Sequence, residues 1–456
     1  MEPPFWDTGI PFNWRILGIF LSYIVLAGWI KYVVGPRSLG SARVITAVPI
    51  FVLNTICPWI FNWNEELMAR LSAVFIISWL CNFKVLAFCW GRAPLRASMT
   101  LSQLAAAILL PVFPKPPESS MSGPKGRLHD SAGCATSLAT RWIAKIALLG
   151  FVVFLIIQFG DSMRAPLRHY TYAFGLYAFV GFLMDGPGAL VMEALGLQLI
   201  PTFDQPWMSS SLADFWGRRW NIPTASVLRT IAYDTIMDGS LIKPMRPHVR
   251  GAARMLSPPS SKKTVGEVRD MLVPAAPHDT PQPSGAPSSP EEQHLGHYQD
   301  GGHHQHHDQQ QHHHHQRHSK KQGPSLLRRQ LALNCTFFVS GIVHEYIAWV
   351  VVGDGKWGWK WTLFFWIQAP MMTLEAICGH LLRRRGVQIP RALAILLTLT
   401  MLELLAYDLF FGFVDKDTDI AARTVAAVSS SYRSLLAPLQ PPITTLATRL
   451  KLGLGL

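Results

Sequence analysis

A histidine and a glutamate sit side by side where ionisable groups are expensive. In Phe337-Phe-Val-Ser-Gly-Ile-Val-His-Glu-Tyr-Ile347 the neighbours are almost all apolar, and His344 and Glu345 fall near the middle of a membrane-length run. Ionisable side chains at such a position face a protein interior or a water-filled cavity rather than lipid. A neutral imidazole in a dry site is suited to general-base work near pH 7; the plainer alternative is a buried histidine hydrogen-bonded between helices. Ser340 and Gly341, one turn earlier, offer a small-residue face for close helix approach. A second constellation is Ser211-Leu-Ala-Asp-Phe-Trp-Gly-Arg-Arg-Trp-Asn221. Ser211 followed three residues later by Asp214 predicts a helix start. Trp216 and Trp220 are then expected to share a helix face, with Arg218 and Arg219 beside it. Read plainly, this is an interfacial anchor with Trp at headgroup depth and Arg on lipid phosphate. Read chemically, the paired cations meet an anionic ligand and Asn221 points inward.

A third cluster is a run of histidines: His294, His297, His303, His304, His306, His307, His312 to His315, and His318. Imidazoles bind transition metals, but a low-complexity tract fixes no geometry, so no metal site is assigned. Seven further polar residues lie in apolar runs: Lys84, Asp185, Glu193, Glu375, His380, Glu403 and Asp408, with Lys84, His380 and Asp408 near run ends. None is given a catalytic role. Lys84, His380 and Asp408 are expected to snorkel, and Gly186-Pro187-Gly188 after Asp185 is expected to break or kink its helix. Five of the six cysteines fall in apolar runs without a C-x-x-C pair, the pattern of packing residues rather than a disulfide framework.

The elements that hold these residues follow from composition. The chain has 456 residues, 49% hydrophobic and 15% charged, against roughly a quarter charged in soluble proteins. Eight apolar runs of about membrane length are expected as spans, at 16–34, 44–63, 71–90, 142–159, 170–195, 331–352, 361–382 and 392–414. The fold class is therefore an all-α polytopic membrane protein of about eight transmembrane helices. A weaker stretch at 101–113 reads as interfacial, and a ninth, partial helix is possible within 420–456. Acidic and aromatic residues before the first run (Glu2, Phe5, Trp6, Asp7) do not suit a signal peptide. Basic connections alternate with acidic or neutral ones, which puts both termini on the non-cytosolic side. Residues 251–325 differ from the rest: one aromatic (Tyr298), nine prolines and balanced charge, so the formal +13 belongs to the apolar remainder. That insert cannot bury enough apolar surface to offset its chain entropy, and is expected to be disordered and cytosolic. The organisation is thus 1–250 with five spans and the motif helix, the insert at 251–325, 326–419 with three spans, and a tail at 420–456. The basic residues lie between apolar spans, which argues against a nucleic-acid partner.

The stretch Leu195-Gly-Leu…Pro201…Phe203-Asp204…Pro206…Ser211 to Asn221, followed by Phe338-Val-Ser-Gly-Ile-Val-His-Glu345, resembles the plant-type wax synthases of the membrane-bound O-acyltransferase superfamily. The likeness is carried by about 190–235 and 331–350; the insert departs from the family pattern. It implies acyl transfer from acyl-CoA to a lipid hydroxyl in the endoplasmic reticulum membrane, with no cofactor beyond acyl-CoA as co-substrate. It also implies catalytic roles for His344 and Asn221. Arg218, Arg219, Trp216, Trp220, Glu345 and Ser340 are the expected substrate contacts. The acceptor, a long-chain alcohol, a sterol or a diacylglycerol, stays open. A distant rival is a divalent-metal transporter, weakened because no other span offers a central histidine to His344.

Overall fold

The computed structural model describes residues 7–115, 135–244, 325–353 and 358–437, and every regular element among them is helical. The chain begins with α1 (Phe12–Trp29), extended by a π turn to Val34, and α2 (Ser41–Ile56). The third run is one continuous helical rod, α3 (Leu67–Ala73), a π stretch, then α4 (Asn82–Cys89). After α5 (Leu101–Leu109) come two long antiparallel helices, α6 (Ala135–Phe159) and α7 (Ala165–Leu195), joined by the tight turn Gly160–Ser162. The motif region supplies the short α8 (Leu212–Asp214) and then a continuous rod made of α9 (Ile222–Leu228), a π stretch and α10 (Asp234–Asp238). A second long pair, α11 (Leu326–Val352) and α12 (Lys360–Arg384), is followed by α13 (Arg391–Leu409) and α14 (Ile420–Leu436).

Seven of these rods are long and apolar enough to cross a membrane: 12–34, 41–60, 67–89, 137–162, 165–195, 326–352 and 391–417. The expected span 361–382 is present as α12, 25 residues long. Its Gln368, Glu375, His380 and terminal arginines keep its composition below the others'. Residues 251–325, with the histidine tract, lie outside the described residues except for Ser325. That serine caps α11 by accepting the Arg328 N–H at 3.2 Å.

The structure bears on four of the sequence expectations. The stretch at 101–113 contains α5 and packs one face into the protein, where Leu104, Ala107 and Ile108 are buried. Lys84 does not snorkel. It is fully buried and its ammonium donates to the carbonyls of Ala107 and Leu110 at 2.7 Å each. It thus satisfies carbonyls that the end of α5 leaves unpaired, and it lies over the Phe113 ring. The helix does not break at Gly186-Pro187-Gly188, because α7 runs through to Leu195. Asp185 there pairs with Lys145 of α6, and Trp142 fills the notch at Gly186 and donates to the Phe182 carbonyl. The region expected as a tail starts as a docked helix: Tyr432 of α14 donates to the Ile146 carbonyl of α6, and Arg423 reaches the Trp63 carbonyl.

The α11–α12 pair is the frame of the site. A Cβ on Gly341 would stand 2.8 Å from both Cα and O of Thr362, so the backbones touch there. This is the close approach that small residues permit. Arg70, fully buried, ties α3 to the far end of α11 by donating to the Val350 carbonyl at 2.8 Å.

Candidate active site

One cavity of about 670 Å³ runs among these helices. Its wall takes Leu333, Phe337, Ser340, His344 and Ile347 from a single face of α11. At 1.5 Å rise per residue that face is roughly 21 Å long. The facing walls come from the α3 rod, α6, α7, α12 and α14, and are almost wholly apolar.

His344 projects into this space from α11. Its Nδ1–H donates to the Ser340 carbonyl one turn back, at 2.7 Å. That bond fixes the tautomer and leaves Nε2 as the basic nitrogen. The ring is held by aromatic neighbours: stacked on Phe365 at 3.8 Å between centroids, and edge-on to Trp79 at 5.0 Å. Glu345, one residue on, is turned about 100° around the helix and does not line the cavity. Its Oε2 accepts the Thr362 N–H at 3.1 Å and the Thr362 hydroxyl at 3.2 Å. It fastens α11 to the start of α12, away from the wall where a substrate contact is expected.

The motif segment enters between helices instead of lying on a surface. Leu212 N–H donates to Glu375 of α12 at 2.9 Å, and Trp216 Nε1–H to Gln368, two helical turns away, at 3.0 Å. Ser211 caps α8 by accepting the Asp214 N–H at 2.9 Å, as its spacing predicts. The expected shared face of Trp216 and Trp220 is not formed. Residues Phe215–Arg219 wind as a π turn and Trp220 leaves it extended. Trp216 packs on Phe365, whereas Trp220 stacks on Phe215 and meets Phe203 edge-on. Both still reach the cavity wall.

The two arginines part company. Arg219, its side chain 17% exposed, holds Asp214 at 2.7 Å and donates to the Asp204 carbonyl at 3.0 Å. Arg218 is 76% exposed and meets Asp214 at 3.1 Å. Burial pushes the Asp214 carboxyl up, but the Arg219 hydrogen bond, the Ser210 N–H and both guanidinium charges outweigh it and hold it below the ordinary carboxylate value. Neither arginine lines the cavity. Arg229 does, at a rim shared with Tyr233, and it is the one Lys, Arg, Asp or Glu on that wall among the described residues.

Asn221 follows the π turn at φ 39°, ψ 58°, a left-handed conformation that asparagine tolerates better than most residues. It is buried on the cavity wall. Its Oδ1, Thr224 Oγ1 and Trp79 Nε1 are buried without hydrogen-bond partners among the described residues. Each such atom costs about 1–3 kcal/mol, and all three belong to residues that line the cavity. Sequence reasoning missed Thr224 and Trp79. Thr224 was within reach, because Asn221-Ile-Pro-Thr224 places it one helical turn from Asn221; nothing local links Trp79 to His344. No three His, Cys, Asp or Glu residues converge as metal ligands among the described residues.

No family model matches the chain. Curated relatives do. The chain is 30% identical over 197 residues to acyl-CoA–sterol O-acyltransferase 1 of Arabidopsis thaliana, covering 43% of this chain and 54% of that protein. It is 26% identical over 221 residues to probable long-chain-alcohol O-fatty-acyltransferase 1 of the same plant, covering 48% and 62%. To the long-chain-alcohol O-fatty-acyltransferase of Simmondsia chinensis it is 26% identical over 227 residues, covering 48% and 60%. The chain thus spans little more than half the length of these relatives. With both motif regions on one cavity and this level of identity, the chain is a distant homologue of the plant wax synthases and the related sterol acyltransferase.

Proposed function

We propose that this protein transfers a fatty acyl group from acyl-CoA to the hydroxyl of a lipid alcohol, giving a wax-type ester and free CoA. The observation that carries the reading is the meeting of His344 and Asn221 on the wall of a single apolar cavity, with His344 Nδ1 already committed to a backbone carbonyl. His344 Nε2 takes the alcohol proton as the oxygen attacks the thioester carbon. The Asn221 amide N–H steadies the charge developing on the carbonyl oxygen. Collapse expels the CoA thiolate, which receives the proton from His344, so the reaction closes without a cofactor. The apolar wall keeps water scarce, favouring transfer over hydrolysis. Acyl chain and alcohol enter from the bilayer, and acyl-CoA from the cytosolic face of the endoplasmic reticulum membrane, where Arg218 contacts its phosphates.

A sterol acceptor is the second reading. The relative of highest identity among those named above is a sterol acyltransferase, and the chemistry is the same. Microsomes containing the protein, given labelled acyl-CoA and a panel of long-chain alcohols, sterols and diacylglycerols, separate the acceptors. His344→Ala should lower ester formation by about 10²–10⁴-fold at unchanged membrane abundance. Near-normal turnover by that variant would remove His344 from the chemistry.

A further inference from the structure

A path of side chain and backbone bonds leads from the middle of the α6–α7 pair to the turn that carries Asn221. Asp185 of α7 is 3% exposed and pairs with Lys145 of α6. Its other oxygen, Oδ1, accepts the Thr202 hydroxyl at 2.7 Å. Thr202, itself buried, turns its carbonyl to the Ile222 N–H at 2.9 Å. On the other side of Asn221, the Asp204 N–H donates to the Arg219 carbonyl at 3.0 Å. Residues 202–204 therefore brace the chain on both sides of Asn221, and Asp185 braces Thr202.

That bracing has work to do. Asparagine tolerates positive φ better than most residues, but the direction in which it then presents its amide is fixed only where the chain on both sides is held. Asn221 stands just ahead of the helix that starts at Ile222, outside its regular turns, so that helix does not impose the conformation by itself. We propose that Asp185 and Thr202 are positioning residues for Asn221, transmitting the rigidity of the α6–α7 pair to the angle at which the Asn221 amide meets the cavity. The inference rests on the acyl-transfer reading of Asn221.

The charge of the pair fits this role better than a role in stability. Swapping a buried ion pair for apolar residues of similar size is often neutral or stabilising, whereas removing one partner costs about 3–5 kcal/mol. What apolar residues cannot offer is an acceptor for the Thr202 hydroxyl. The carboxylate gives one oxygen to Lys145 and the other to Thr202. Lys145 reaches it across a notch at Gly181, where a Cβ would lie 2.3 Å from Lys145 Cδ.

The experiment compares Thr202→Val, Thr202→Ser, Asn221→Ala and the Thr202→Val/Asn221→Ala double variant of the full chain in microsomes, using acyl-CoA and the best acceptor. Thr202→Val should keep membrane abundance and both KM values while kcat falls about tenfold, the size of effect expected of a small misplacement. Thr202→Ser should restore kcat. The double variant should be no slower than Asn221→Ala alone, since a residue acting through Asn221 has nothing left to act on. Lys145→Met/Asp185→Leu, which removes the pair without leaving a lone charge, should reproduce the kcat loss and its disappearance in the Asn221→Ala background. This pair carries the same readouts if Thr202→Val does not accumulate. Full kcat in Thr202→Val beside a slow Asn221→Ala overturns the positioning role alone, as do losses that multiply in the double variant. Full kcat in Asn221→Ala overturns the reading of Asn221 and this inference with it.

Discussion

Arg218 and Arg219 are adjacent in sequence and opposite in situation, and their variants should separate. Arg219 is a brace: its guanidinium holds Asp214, which also accepts the Ser210 N–H, and it reaches the Asp204 carbonyl. Removing it leaves a mostly buried carboxylate with weaker partners, so Arg219→Ala should lower kcat and abundance together. Arg218 is exposed, and an exposed ion pair contributes about 0–1 kcal/mol. Arg218→Ala should leave abundance unchanged and raise the apparent KM for acyl-CoA several-fold, with little change for the alcohol. Kinetics and immunoblots of the two single variants check this; an unchanged donor KM in Arg218→Ala would leave Arg229, on the cavity rim, as the better candidate for the phosphates. The local sequence gave no means of telling the two arginines apart. What separates them is the π turn at Phe215–Arg219, whose wider winding also takes Trp220 off the expected face.

At the level of elements, the contact between α11 and α12 is where a small change should be felt most. The space beyond Gly341 is closed by the backbone of Thr362, which cannot swing aside as a side chain would. Gly341→Ala should therefore destabilise by about 1–3 kcal/mol, the usual range for overpacking. The expected signs are a lower Tm in detergent and slower turnover, because the Glu345–Thr362 tie and the Phe365 ring against His344 share that contact. A wild-type Tm would show that the helices separate at no cost. Much of this architecture was legible in advance. The spans were visible because lipid-spanning helices need long apolar runs, and the small face at Ser340 and Gly341 marked a close approach. Other features depend on partners distant in sequence. The pairing of Lys145 with Asp185, the burial of Lys84 and the proximity of Trp79 to His344 have no local signal. Glu345 stands off the cavity wall that His344 lines because adjacency along a helix is divergence around it.

For the molecule as a whole, the two motif regions are joined by contacts between the described residues on either side of the segment that separates them. Arg328, at the start of α11, donates to the Ile236 carbonyl of α10 at 2.7 Å and packs on Gly239. The ends of the intervening chain are thus held by contacts of their own, and lengthening or shortening a loop changes closure by only ~0.6 kcal/mol per doubling. Replacing 256–320 by a short Gly/Ser linker should leave ester synthesis within about twofold of the intact protein at equal abundance. Lost synthesis at normal abundance would show that the segment takes part in catalysis. Lys84 has a consequence of a different kind, for biogenesis. A lysine within a span raises the cost of membrane insertion, by about 2.5–3.5 kcal/mol at the helix centre and by less toward the end, where Lys84 lies. Its two acceptors, the carbonyls of Ala107 and Leu110, are synthesised only later. The third span then becomes secure when α5, too short to cross by itself, has emerged and folded against it. Nascent chains ending at residue 95 and fused to a glycosylation reporter should insert this span poorly, while chains ending at residue 115, or Lys84→Leu chains of either length, should insert it well. The order of synthesis is thereby part of how this protein reaches its fold.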